Sequence, residues 1–467
     1  MASQASGDDL GSLMNGETRD ARRRLNRLNL AILLGFGLVA VVLIYWSVIR
    51  GASILGRDDN PRLVESELRV QRGSILDANN TPMAITTGGR ADLQREYPLP
   101  SAAPVIGYYS LRHGTAGIEE ALDDQLRGAS ADFWSEFWRS DLLGEPQIGR
   151  DVRLTLDSRW QANADELLGE RNGGVFLFSL PDVSVRAMAS RPGYDANRLD
   201  DEFERLVIDE QAPLVNRVTQ GQYQPGLLLQ PFLLAIGQRD GQLELYGTAA
   251  GTKQEVVIDG FSLICQGVAS EPPTWATAMV ARCPGPMIGL AEKMGEAGLL
   301  KAIDEFGLLS QPELPIITED IGSTEIQDAG LAAIGQDSAA VSPLQVGLAL
   351  AALANDGQFR QAQMILAKQD VAGNWLTEPV QGKRRQVVPA EIAAEILSLF
   401  SEADGISEHE IVVLSGPEGN INNWYLGLAP ATHPRYGVVV VVEDDEDSSF
   451  AQTVGRELLK EVLNSNA

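Results

Sequence analysis

From Leu28 to Ile49 the chain runs for 22 residues without a charged side chain, LNLAILLGFGLVAVVLIYWSVI. As an α-helix at 1.5 Å per residue this stretch reaches about 33 Å, enough to cross a hydrocarbon core of about 30 Å. Tyr45 and Trp46 stand near its far end, where interfacial aromatics belong. Arg19, Arg22, Arg23, Arg24 and Arg27 precede it, whereas only Arg50 and Arg57 follow before the acids Asp58 and Asp59. Positive charge collects on the cytoplasmic side of a membrane helix. The sequence therefore predicts a cytoplasmic tail over 1–27, a single-pass anchor over 28–49, and everything after Arg50 outside the cell. A cleaved signal and a buried core helix are the rival readings. The run is long for a signal's apolar region, and no small-x-small cleavage site follows it.

That placement gives meaning to the charge. The net charge is -27, and residues 1–27 carry five Arg against four acids, or +1, so the outer part carries -28. A nucleic-acid binder needs a basic face, and no long basic stretch occurs outside the N-terminus; no nucleic-acid partner is expected. The acid excess equally suits simple solubility. The two cysteines, Cys265 and Cys283, fall in the outer part and either pair in a disulfide or remain as buried thiols. Their spacing fits no zinc pattern, and His113, His409 and His433 are scattered. Neither a metal nor a cofactor is expected.

Beyond the anchor the chain divides into a membrane-proximal region over 50–150 and a larger domain over 151–467. The first mixes short apolar runs with turns and holds the aromatic, acidic stretch DFWSEFWRSDLLGE. In the second, VRLTLD (152–157) alternates like a strand. SRWQANADELLGE follows as a helix capped at Asp157 or Ser158. GGVFLFSLPDVSVRAMAS reads as two strands turning at Pro181-Asp182. Helical patterns cover about 285–308 and 340–356, and NNWYLGLAP, YGVVVVVED and SSFAQTVGRELLKEVLNSN give strand, strand, helix. The fold class this predicts is α/β (α+β), one sheet built from both ends of the domain with helices on its faces.

Seven segments in order resemble the class B penicillin-binding proteins, D,D-transpeptidases that cross-link peptidoglycan. QRGSILDANNTPMA (71–84) and the stretch from Tyr97 to Gly128 resemble that family's membrane-proximal pedestal. GRDVRLTLDSRWQ (149–161) resembles the entry to its transpeptidase domain, and VSVRAMASRPGYDANRL (183–199) resembles a run inside it. APLVNRVTQGQYQPG (212–226), AAIGQDSAAVSPLQVGLALAALANDG (332–357) and NNWYLGLAP (422–430) complete the set.

The resemblance also says where chemistry should sit. Family members use a nucleophilic serine in Ser-x-x-Lys, with the lysine one helical turn away. Those positions here are Leu227 and Gln230, in YQPGLLLQPF. The Ser-x-Asn positions are Arg282 and Pro284, and moving one residue along to Cys283-Pro284-Gly285 does not restore the motif. The Lys-Thr/Ser-Gly strand edge falls on Leu414, Ser415 and Gly416. No catalytic residue is assigned. Ser338 and Ser342 lie in a stretch resembling the active-site rim and are the candidates for a relocated nucleophile. The acidic run Asp444–Asp447 reads as a solvated turn.

Three functions follow from the resemblance. The first is a non-catalytic scaffold or activator for a SEDS-type glycan polymerase and other cell-wall proteins. The second is a non-covalent muropeptide sensor. The third is an active transpeptidase with an unrecognised nucleophile. An apolar Leu227 predicts a site narrowed or plugged by side chains.

Overall fold

The computed structural model describes residues 26–43, 45–46, 70–89, 92–128, 147–319, 325–380, 382–416 and 418–465. Most of the predicted cytoplasmic tail and the DFWSEFWRSDLLGE stretch lie outside these. Asn26–Leu43 forms one apolar helix, with Leu33 and Phe36 about 70% exposed. It starts two residues before the predicted span, and part of that span's far end lies outside the described residues. A helix with hydrocarbon on every side suits lipid rather than water, so it fits a single-pass anchor.

Residues 70–465 fold around two sheets. The larger contains β1 (Gly173–Ser179), β2 (Ser184–Arg191), β3 (Ser401–Ala403), β4 (Ile406–Ser415), β5 (Asn420–Ala429) and β6 (Tyr436–Val442), in the order β3-β4-β5-β6-β1-β2. Neighbours are antiparallel throughout. Strands from both ends of the domain therefore meet at β6 and β1, as the sequence predicts, with Val440 opposite Val175.

The strand sequences explain why both faces are covered. Successive side chains of a strand point to opposite faces. Val175 and Leu177 pack on one side with Trp160, Tyr425, Val438, Val440 and Leu458, whereas Phe176 and Phe178 pack on the other with Val439 and Val441. The first side is covered by α1 (Ser158–Leu168) and α6 (Phe450–Ser465). The second carries α2 (Gln230–Arg239), α3 (Trp275–Val280), α4 (Pro284–Glu305) and α5 (Pro343–Ala354). Asp157 caps α1 by accepting from Arg159 N at 3.0 Å.

The second sheet mixes distant parts of the chain. Its order is Trp375–Thr377, Ile365–Gln369, Val152–Leu154, Ile75–Leu76, Pro82–Thr87, Gln94–Glu96. The predicted strand 152–157 is thus only three residues long, and it pairs in parallel with Ile75–Leu76 rather than joining the larger sheet. Beside this sheet, Arg72 and Arg95 both bond the buried Glu119 carboxylate, at 2.8 and 2.6 Å, so no charge in the cluster is left unpaired.

Candidate functional site

The stretch YQPGLLLQPF folds as a strand bridge, a tight turn and then a helix. Tyr223 exchanges backbone hydrogen bonds with Val341. Gly226–Leu229 is a 3₁₀ turn, and α2 begins only at Gln230. Pro225 and Gly226 set up that turn. Gly226 has φ +57°, and a Cβ added there would lie 2.7 Å from Val413 Cγ2. Only glycine lets the turn lie this close against β4.

This packing brings two of the three motif positions together. Gly416 N donates to Gln224 Oε1 at 3.4 Å, joining the end of β4 to the residue three before Leu227. Gly226 N donates to Gly335 O at 3.1 Å, which ties in the AAIGQDS loop. Leu227 is half-buried against the core, and Leu228 and Leu229 are buried. Gln230 is 1% exposed, and neither of its amide atoms has a hydrogen-bond partner.

Arg282 stands in the turn between α3 and α4 with φ +52°, and reaches Glu410 on β4 at 3.6 Å. Pro284 is the first residue of α4, where a missing N–H costs nothing. Between them Cys283 is disulfide-bonded to Cys265, which resolves the two open readings of the cysteines. The thiol at the centre of this motif is therefore not free. Next to Arg282, His409 is fully buried and stacks on Phe400 at 4.9 Å. Burial, with the Arg282 charge adding to it, pushes the His409 pKa down to about 3, so the imidazole stays neutral.

The third motif ends β4. Leu414 is buried, and the Ser415 hydroxyl accepts from Asn422 Nδ2 at 3.2 Å. Alternate residues of a strand present their backbone groups to the same edge. Along this edge, beyond the last pair with β3, glutamine side chains take the exposed groups. Gln266 Nε2 donates to Val412 O at 3.0 Å, Gln336 Nε2 to Leu414 O at 3.1 Å, and Gln224 accepts from Gly416 N. None of the three glutamines was singled out from the sequence. Two of them sit inside segments that were, but a glutamine aimed at a strand edge has no periodicity to betray it.

The relocated-nucleophile candidates are otherwise engaged. Ser342 and Gln345 form a capping box at the start of α5, and Ser338 Oγ donates to Glu325 O. Neither these two hydroxyls nor Ser415 has an imidazole, amine or carboxylate among its hydrogen-bond partners in the described residues. Tyr223 donates to Glu443 Oε1 at 2.7 Å beside Arg217, which bonds the same oxygen at 2.8 Å. Burial, followed by the Glu443 charge, raises the Tyr223 pKa well above its ordinary value, leaving a protonated structural donor. In the acidic run, Asp445 pairs with Arg171 at 2.6 Å and Asp447 caps Ser449, so the turn is partly bonded rather than wholly solvated. Among the described residues no cluster of His, Cys, Asp or Glu could hold a metal.

Residues 173–405 match the penicillin-binding protein transpeptidase domain, and 72–152 match the penicillin-binding protein A dimerisation domain. The chain belongs to the class B penicillin-binding-protein family. The peptidoglycan D,D-transpeptidase PbpA of Mycolicibacterium smegmatis is 26% identical, over 87% of this chain and 92% of that one. PbpA of Mycobacterium tuberculosis is 25% identical over 86% and 91%. The crystal structure of the M. tuberculosis protein superposes with a TM-score of 0.73 at 25% identity, covering 84% of this chain and 99% of that one. Its imipenem acyl-enzyme complex gives 0.74 at 24% identity, covering 85% and 99%. This family's fold of peptidoglycan synthesis is what carries Leu227, Gln230, Arg282 and Leu414.

Proposed function

We propose that this penicillin-binding-protein family member is a membrane-anchored, non-catalytic component of peptidoglycan synthesis, a scaffold or activator for a SEDS-type glycan polymerase. One observation carries the reading. The turn at Leu227 and the strand end at Ser415 are joined through Gln224, as a catalytic site would require, yet the side chains at these positions offer neither an activated hydroxyl nor a base. Acyl transfer by a serine needs both. The glutamines on Val412 and Leu414 support it further, since an incoming peptide strand would have to displace them. In this reading the tail before Leu28 is cytoplasmic and the domain outside. The membrane helix over 28–49 and the pedestal over 50–150 meet the partner in this reading, and the domain over 151–467 follows them.

Two measurements test it. Full-length protein extracted from its own membrane should co-purify with a polytopic glycan polymerase, and a variant whose anchor is exchanged for an unrelated apolar helix should lose that partner. Fluorescent penicillin should leave the protein unlabelled. Stoichiometric labelling, abolished by changing one serine, would restore the active-transpeptidase reading.

A further inference from the structure

Away from the candidate site, Gln358–Phe359 pairs antiparallel with Arg385–Gln386, with Gln358 opposite Gln386 and Phe359 opposite Arg385. One step further along that register sets Arg360 opposite Arg384. Like charges directly opposite on neighbouring strands are destabilising, with Cβ atoms about 5 Å apart. Arg385 stacks over the Phe359 ring at 5.1 Å. Arg360 and Arg384 instead line a cleft of about 140 Å³ with Pro181, Asn355, Asp356 and Gln358.

Several arginines of this acidic protein find carboxylates, as Arg72 does with Glu119, Arg217 with Glu443 and Arg456 with Glu408. Among the described residues Arg360 and Arg384 have no ion pair. Arg360 Nη1 donates to Pro181 O at 3.4 Å, and its Nε is buried without a partner. Two carboxylates lie near without closing the gap. Asp356 lines the cleft, and Asp182 accepts from Ser184 Oγ at 2.7 Å. Burial and then the Arg384 charge lower the Arg360 pKa, which Asp182 only partly opposes.

We propose that this cleft binds a phosphate oxyanion between the Arg360 and Arg384 guanidinium groups. Guanidinium forks match phosphate oxygens in pairs, and two forks lining one cleft from opposite strands suit a tetrahedral anion better than a planar carboxylate, which one fork satisfies. The volume admits a single phosphate group, whether free or as the diester of a lipid headgroup.

The test uses the full-length protein in neutral detergent and calorimetric titration with inorganic phosphate at constant ionic strength. Wild type should bind, and Arg360→Gln and Arg384→Gln should weaken the Kd about tenfold or more. If micelles show no binding, nanodiscs of phosphatidylcholine with and without phosphatidylglycerol distinguish the source. A higher unfolding temperature only with phosphatidylglycerol, lost in both variants, assigns a headgroup phosphate. In chloride alone Arg384→Gln, relieved of the like charge, should unfold at or above the wild-type temperature. A lower temperature there, no response in either medium, or equal responses in wild type and variants would each overturn the assignment.

Discussion

Gly226 lies so close to Val413 that one added methyl would approach Val413 Cγ2 to 2.7 Å. The turn carrying Leu227 is thus keyed into the strand that carries Ser415, with φ +57° at the key. Gly226→Ala should destabilise the domain by about 1–3 kcal/mol through overpacking and backbone strain. Urea unfolding of the two proteins measures it; an unchanged midpoint would mean that the turn can lift from β4 at no cost.

Leu227 has no oxygen to acylate, so intact mass after penicillin treatment should show no adduct. Leu227→Ser alone should acylate slowly or not at all, because Gln230 cannot accept the hydroxyl proton. Leu227→Ser with Gln230→Lys should be less stable than wild type, since the new ammonium would sit where Gln230 is 1% exposed. Rapid stoichiometric acylation of the single variant would reveal a base that these contacts do not show.

His409 should make stability fall in acid. Its pKa drops from 6.5 to about 3 in the folded protein. Between those values the unfolded chain binds a proton that the folded one refuses, so stability is complete above about pH 6.5 and declines below it, by at most about 1.4 kcal/mol per pH unit. His409→Gln removes this proton uptake. The difference in unfolding free energy between variant and wild type should therefore change between pH 7 and pH 5 in favour of the variant; a pH-independent difference would contradict it.

The Cys265–Cys283 bond, spanning 18 positions, should contribute about 3 kcal/mol by restricting the unfolded chain. Reduction, or replacement of both residues by Ala, should lower the unfolding temperature by several degrees. An unchanged midpoint would show the loop to be held by Gln266 and its neighbours instead.

Four strands of the larger sheet, β1, β2, β5 and β6, were legible because burial on both faces writes long apolar runs, as in GGVFLFS and YGVVVVV, and α1 was legible because Asp157 announces its start. The motif positions were legible only through resemblance. What escaped were contacts made by single side chains at a distance. Gln224, Gln266 and Gln336 meet β4 from three loops, and no local pattern encodes where a loop glutamine will land. The strand at Val152–Leu154 was legible but its place was not, since its partners Ile75–Leu76 and Ile365–Gln369 are far away in sequence.

That strand has a consequence for the order of events during synthesis. Val152–Leu154 sits between Ile75–Leu76 and Ile365–Gln369, and Trp375–Thr377 closes the edge. A chain made from its N-terminus exposes the first four strands of this sheet long before the last two exist. Until residue 369 has been made, one side of Val152–Leu154 stays an unpaired edge, open to whatever strand comes near. The region over 72–152, though made early, is thus among the later parts to be finished.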